Sequence, residues 1–170
     1  MLTSGLAVRA DALLTRLRFT TQDGTLGDDQ DISGVKEFVN WLVGNTSKQT
    51  VVFYSGRTTI KGQVKSAHSQ LGAFEANYKA SSIDTLLNKA KVAKKVWQAW
   101  KQKPDWELAS KTMAERAAGR VLALVGRNVG PNSVWLQIEL KANKANKAVT
   151  SIEQHTVKED GTLEGPKKLK

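Results

Sequence analysis

Two short apolar runs, Val51-Val52-Phe53-Tyr54 and Val121 to Val125, constrain this chain more than any other feature. Rich in β-branched and aromatic residues, and bounded by glycine and small polar residues, they read as short buried strands. The first leaves through Tyr54-Ser55-Gly56-Arg57, the second through Gly126-Arg127-Asn128-Val129-Gly130-Pro131. Ligands of open α/β sheets usually bind beyond the carboxyl ends of strands, so these two exits are candidate sites, an ordinary turn being the competing reading of each. Neither is a phosphate loop, because the chain has no Walker sequence and no G-x-G-x-x-G. Helical spacing predicts helices over Val8–Leu17, Val35–Val43 (capped by Ser33 and ending near Gly44-Asn45), Ile60–Tyr78, Ser82–Lys91, Val92–Lys101 and Trp106–Ala118, with a polar connection at Asp23–Asp29. Further strands are predicted over Val134–Leu140 and Val149–Val157. The expected fold is α/β: an N-terminal helical lobe, residues 1–48, beside a small, mainly parallel sheet flanked by helices, residues 49–160. Helices within 58–80 are expected to pack with the lobe, and residues 161–170 to form a basic, frayed tail.

The segment Asn132 to Leu140 carries the first candidate for chemistry. On a strand, Trp135, Gln137 and Glu139 share one face and Val134, Leu136, Ile138 and Leu140 the other. Glu139 then stands beside an aromatic ring; a solvated edge-strand position is the competing reading. On the helix after Pro104, Trp106 and Ser110 lie four apart and share a face. Such a pair can sandwich a flat heterocycle, or Trp106 can simply fill the core.

Composition removes several classes. With no cysteine there is no disulfide framework, thiolate metal site or cysteine nucleophile, and two isolated histidines, His68 and His155, make no zinc site. No apolar run approaches the roughly 20 residues of a membrane span. Arg9 and Asp11 fall where a signal peptide needs its apolar stretch, so a soluble module is expected. The net charge of +10 is concentrated in lysines at 89–95, at Lys101 and Lys103, at 141–147 and at 167–170. A basic surface of this kind suits an acidic protein, a phosphorylated small molecule or nucleic acid.

Taken in order, five segments resemble the ADP-ribosyl cyclase and NAD glycohydrolase family, and more closely its relatives at the C-termini of bacterial antagonistic toxins. They are Phe53-Tyr54-Ser55-Gly56-Arg57, Ser82-Ile83-Asp84-Thr85-Leu86-Leu87, Trp106 through Ser110 to Ala114-Glu115-Arg116-Ala117, Val121 to Val125, and Ser133 to Glu139. The resemblance runs from Thr50 to Val157. It departs from the animal enzymes at Tyr54, where they carry tryptophan, at Asp84, where they carry glutamate, and in lacking their disulfides.

The resemblance implies a cyclase-like fold and cleavage of the nicotinamide–ribose bond of NAD or NADP, with Glu139 as the catalytic carboxylate. It implies substrate contacts from Tyr54, Ser55, Arg57, Asp84, Trp106, Ser110, Ser133 and Trp135. Neither a metal nor a separate cofactor is called for, NAD being the substrate. It further implies a toxin module secreted within a larger delivery protein, acting in the target-cell cytoplasm to deplete NAD, and neutralised by an acidic immunity protein. Two alternatives stand beside it: an RNA-cleaving toxin using the basic surface with His68 and His155, with nucleic acid the less favoured partner, and a non-catalytic binding module.

Overall fold

The computed structural model describes residues 32–100 and 104–170. The helix expected at Val8–Leu17, the connection at Asp23–Asp29 and the lysines at 101 and 103 lie outside them. In chain order the elements are α1 (Val35–Asn45), β1 (Thr50–Ser55), β2 (Arg57–Ile60), β3 (Gln63–Ser66), α2 (Leu71–Tyr78), β4 (Ala80–Ser81), α3 (Ile83–Lys89), α4 (Lys94–Gln98), α5 (Pro104–Arg116), β5 (Gly119–Gly126), α6 (Leu140–Ala145), β6 (Val149–Val157) and β7 (Leu163–Lys168). A π-helical stretch, Trp135–Glu139, leads directly into α6.

Five strands form one sheet in the order β4-β1-β5-β6-β7, parallel except for the antiparallel β7. The central strands are apolar on both faces, and both faces are covered. Val51, Phe53, Val121, Ala123 and Val125 pack with Phe38 and Leu42 of α1, Leu86 and Leu87 of α3, and Ala109 and Met113 of α5. Val52, Leu122 and Leu124, pointing the other way, pack with Ala67 and with Leu71 and Phe74 of α2. The protein is thus a mixed α/β fold, a mainly parallel five-stranded sheet flanked by helices. Burial on both sides is what uninterrupted apolar strands demand.

The topology places a crevice. From β1 the chain moves to the edge strand β4, then recrosses to β5 on the other side of β1, while β5 leads outward to β6. The adjacent strands β1 and β5 therefore send their chains in opposite directions, a switch point at which the carboxyl ends open a cleft.

Three expectations are corrected. The long helix over Ile60–Tyr78 is instead the β2–β3 hairpin, a 3-10 turn at Ala67–Gln70 and the short α2. Lys61 and Gly62 both take positive φ, 49° and 78°, between the paired Ile60 and Gln63. Two such residues form the turn that matches strand twist, so β-branched Thr58, Thr59, Ile60 and Val64 close as a ribbon.

The strand expected at Val134–Leu140 is helical. Ser133 caps it, its Oγ accepting from the Leu136 N–H at 3.3 Å, and the Leu140 N–H reaches back to the Trp135 carbonyl, a π-type bond. Gln137 is consequently exposed while Trp135 and Glu139 are buried. Residues 161–170 are not a free tail, for Leu163–Lys168 add β7 to the sheet through the turn closed by the Lys158 N–H on the Thr162 carbonyl at 2.8 Å. Lysines suit such an exposed edge, where charge discourages pairing with another chain.

Candidate functional site

The switch-point crevice is a cavity of about 290 Å³ lined by Tyr54, Ser55, Gly56, Arg57, Ser66, Ile83, Trp106, Val134, Trp135 and Glu139. The end of β1 and the hairpin supply its hydroxyls and its guanidinium, and the helices supply its tryptophans and its carboxyl. Of the residues proposed from sequence, Tyr54, Ser55, Arg57, Trp106, Trp135 and Glu139 meet on this wall.

Two glycines bring the exits of β1 and β5 together. Arg57 and Asn128 exchange backbone hydrogen bonds at 3.0 and 2.9 Å, bridging the loops beyond the two strands. A Cβ on Gly56, whose φ is +82°, would stand 2.7 Å from the Asn128 carbonyl oxygen, and one on Gly126 would overlap the Arg57 backbone. Only glycine allows this approach. Thr58 tightens the same corner, its Oγ1 donating to the Val157 carbonyl at 2.8 Å and accepting from the Arg127 N–H at 2.9 Å.

Glu139 ends the π-helical stretch one turn beyond Trp135, and the wide turn directs both side chains inward. Such stretches are rare and concentrate at functional sites. Trp135 is almost fully buried and stacks on Phe53 with ring centroids 5.8 Å apart. Asn143, also buried, donates from Nδ2 to the Glu139 carbonyl at 2.9 Å and fixes the backbone there. Burial pushes the Glu139 carboxyl up to about 8, against an ordinary 4.5. The Ser110 hydroxyl beneath it pulls the other way, although it makes no hydrogen bond of ordinary geometry among the described residues. At neutral pH the Glu139 carboxyl is thus held toward its protonated form, and a cation beside it would drive it to ionise.

Three residues proposed as substrate contacts lie behind the wall. Ser110 is fully buried on α5, one turn from Trp106, which itself is flanked by Trp97 at 6.4 Å. Ser133 is engaged as the helix cap. Asp84, in the first turn of α3, accepts the Tyr54 hydroxyl at 2.7 Å through Oδ2. Burial, and then the Asp84 carboxylate, raise Tyr54 above the ordinary phenol value, so it remains a neutral donor.

Sequence reasoning missed Ser66, Ile83 and Val134 as wall residues, and His68 as a neighbour of Tyr54. The Lys61-Gly62 turn signal was the clue, since a hairpin there returns Ser66 opposite Arg57. His155 lies elsewhere, buried on β6 against Phe74 and Tyr78, and burial holds its imidazole below the usual value. Among the described residues no group of three or more His, Cys, Asp or Glu is placed to hold a metal ion, and no helix is long and apolar enough to cross a membrane.

Comparison with protein-family models, with curated proteins and with solved structures finds no match for this chain. The functional reading therefore rests on the cavity and on its chemistry.

Proposed function

We propose that the cavity binds the nicotinamide–ribose half of NAD or NADP and hydrolyses the bond between them, in a cyclase-like fold used as a bacterial antagonistic toxin. The observation that carries this reading is a single buried carboxyl, Glu139, lining a cleft at the strand ends together with Trp106 and Trp135. Breaking the bond moves positive charge from the pyridinium to the ribose. A preorganised carboxylate in a water-poor pocket stabilises charge that grows in the transition state.

Trp106 and Tyr54 offer flat faces to the nicotinamide, and the Arg57 fork with Ser55 and Ser66 suits phosphate oxygens. A cavity of about 290 Å³ accommodates one ring and its sugar, leaving the rest of the dinucleotide over the hairpin rim. Because Asp84 is taken up by Tyr54, Glu139 is the only acidic side chain lining the cavity among the described residues. Nothing acidic then holds the adenine folded back for attack on the ribose, and water is the expected acceptor.

Incubating the pure domain with NAD and, separately, with tRNA tests this. Nicotinamide and linear ADP-ribose are expected, with tRNA intact, and kcat/KM should climb about tenfold per pH unit before levelling near 8, where the free Glu139 carboxyl ionises. Cleaved tRNA with untouched NAD would transfer the function to the RNA-cleaving class. A dominant cyclic nucleotide would refute the product argument alone.

A toxin made alongside its own substrate needs restraint. An acidic inhibitor protein seated on the basic surface and covering the Tyr54–Glu139 cavity fits the +10 charge. Adding such an inhibitor should abolish NAD loss, with an affinity that falls as salt rises. Inhibitor binding that left turnover intact would remove it from the cavity.

A further inference from the structure

The 3-10 turn after the hairpin places His68 against the outer side of Tyr54. The two rings meet edge to face with centroids 5.0 Å apart. His68 Nε2 lies 3.4 Å from Asp84 Oδ2, the same oxygen that accepts the Tyr54 hydroxyl at 2.7 Å. Ser66, on the cavity wall, fixes the start of this turn by accepting the His68 N–H at 3.2 Å, and its carbonyl accepts the Ser69 hydroxyl at 2.7 Å. One carboxylate thus gathers the phenol and the imidazole, and the imidazole also backs the phenol ring.

We infer that His68 is a positioning residue of the cavity: with Asp84 it latches Tyr54, so that the tyrosine ring forms a fixed wall against which the nicotinamide is set opposite Glu139. The inference rests on the NAD-cleaving reading for its kinetic consequence, though not for the latch itself. A phenol held only by its hydroxyl retains a swing about its side-chain bonds. A second contact on the ring, from an imidazole that itself lies against the same carboxylate, removes that freedom before substrate arrives, and misplacement at a reacting centre is costly. At 3.4 Å the Nε2 of His68 faces the Asp84 carboxylate from a half-exposed side chain, a contact that becomes a hydrogen bond when Nε2 carries the proton and the ring turns slightly toward it. Because His68 is exposed, its removal leaves the core intact.

The test joins kinetics to a measurement that needs no turnover. His68→Ala is expected to lower kcat for NAD by about tenfold while KM moves by less than about threefold. His68→Gln, whose amide can donate to Asp84, should recover most of that loss. Placed on Tyr54→Phe, which removes the hydroxyl held by the latch, His68→Ala should add less than about twofold, because the two residues act as one unit. In parallel, the Tyr54 hydroxyl proton, followed by NMR, should exchange with water faster in His68→Ala than in the wild type. Full additivity of the two substitutions, an unchanged kcat, a glutamine no better than alanine, or unchanged hydroxyl exchange would each overturn the latch. If the wild-type domain cleaves no NAD, the exchange measurement still decides the latch, while the proposed activity falls separately.

Discussion

Replacing Glu139 by glutamine is expected to slow NAD cleavage by on the order of 10²–10³-fold or more while making the domain more resistant to unfolding in mild alkali. The loss of rate follows from removing the one carboxylate that faces a developing cation. The gain in stability follows from its burial. The Glu139 carboxyl titrates at about 8 in the fold against 4.5 ordinarily. Between those values the native state keeps a proton that the unfolded chain has released, so the wild type loses stability as pH rises through this window, and the loss is complete above 8. Its full extent is on the order of 5 kcal/mol. Glutamine does not ionise, so the difference between variant and wild type isolates this one group from all others. Urea unfolding of both proteins near pH 5 and near pH 8.5, with NAD turnover, checks the two halves together. A variant that turns over normally sinks the catalytic role. One that unfolds more readily than the wild type at the higher pH sinks the account of the buried carboxyl.

The second large effect is expected at Gly126, which touches no ligand. A methyl group there has nowhere to go, since its space is occupied by the backbone of Arg57, and backbone cannot turn aside as a side chain does. Gly126→Ala should separate the exits of β1 and β5, cost about 2–3 kcal/mol, and displace Arg57 and Ser55 from the cavity. Activity should fall along with stability. Gly130→Ala, four residues on, meets open space and should alter neither. A stable, fully active Gly126→Ala protein would mean that the Arg57–Asn128 bridge does not shape the pocket.

What the amino-acid sequence disclosed depended on where its signals were local. Val51–Tyr54 and Val121–Val125 are strands because their side chains are apolar on both faces, and the letters alone carry that pattern; Val149–Val157 carries a weaker signal, in the β-branched Val149, Thr150, Ile152, Thr156 and Val157. The caps were less legible: the one expected at Ser33 is not made, α1 following Gly34 with no side-chain cap, whereas the Ser82 hydroxyl caps α3 by accepting the Thr85 N–H at 3.3 Å.

The stretch Val134–Leu140 misled, because Val, Leu, Ile and Leu at every second position imitate a strand. The Ser133 cap and the inward pull of Trp135 and Glu139, four apart, outweigh that alternation. Trp135 and Glu139 still share a side, for a helical reason in place of the expected one. His68 was illegible for a different cause. Its partnership with Asp84 and Tyr54 joins three separate elements and exists only once the hairpin has turned the chain back.

The pairing of Val51 with Val121 carries a consequence in time. Strands β1 and β5 are joined through the hairpin and α2 to α5, and the entropy of closing so long a loop must be met before the pairing is gained. The walls of the cavity come from the start of that loop, from Ile83 and Trp106 within it, and from Val134 and the π-helical stretch beyond it. A ribosome-bound or partly threaded chain lacking the later segments has no cavity at all. Any chemistry the pocket performs therefore needs the loop closed and the segments beyond it in place, and a chain short of that state is inert.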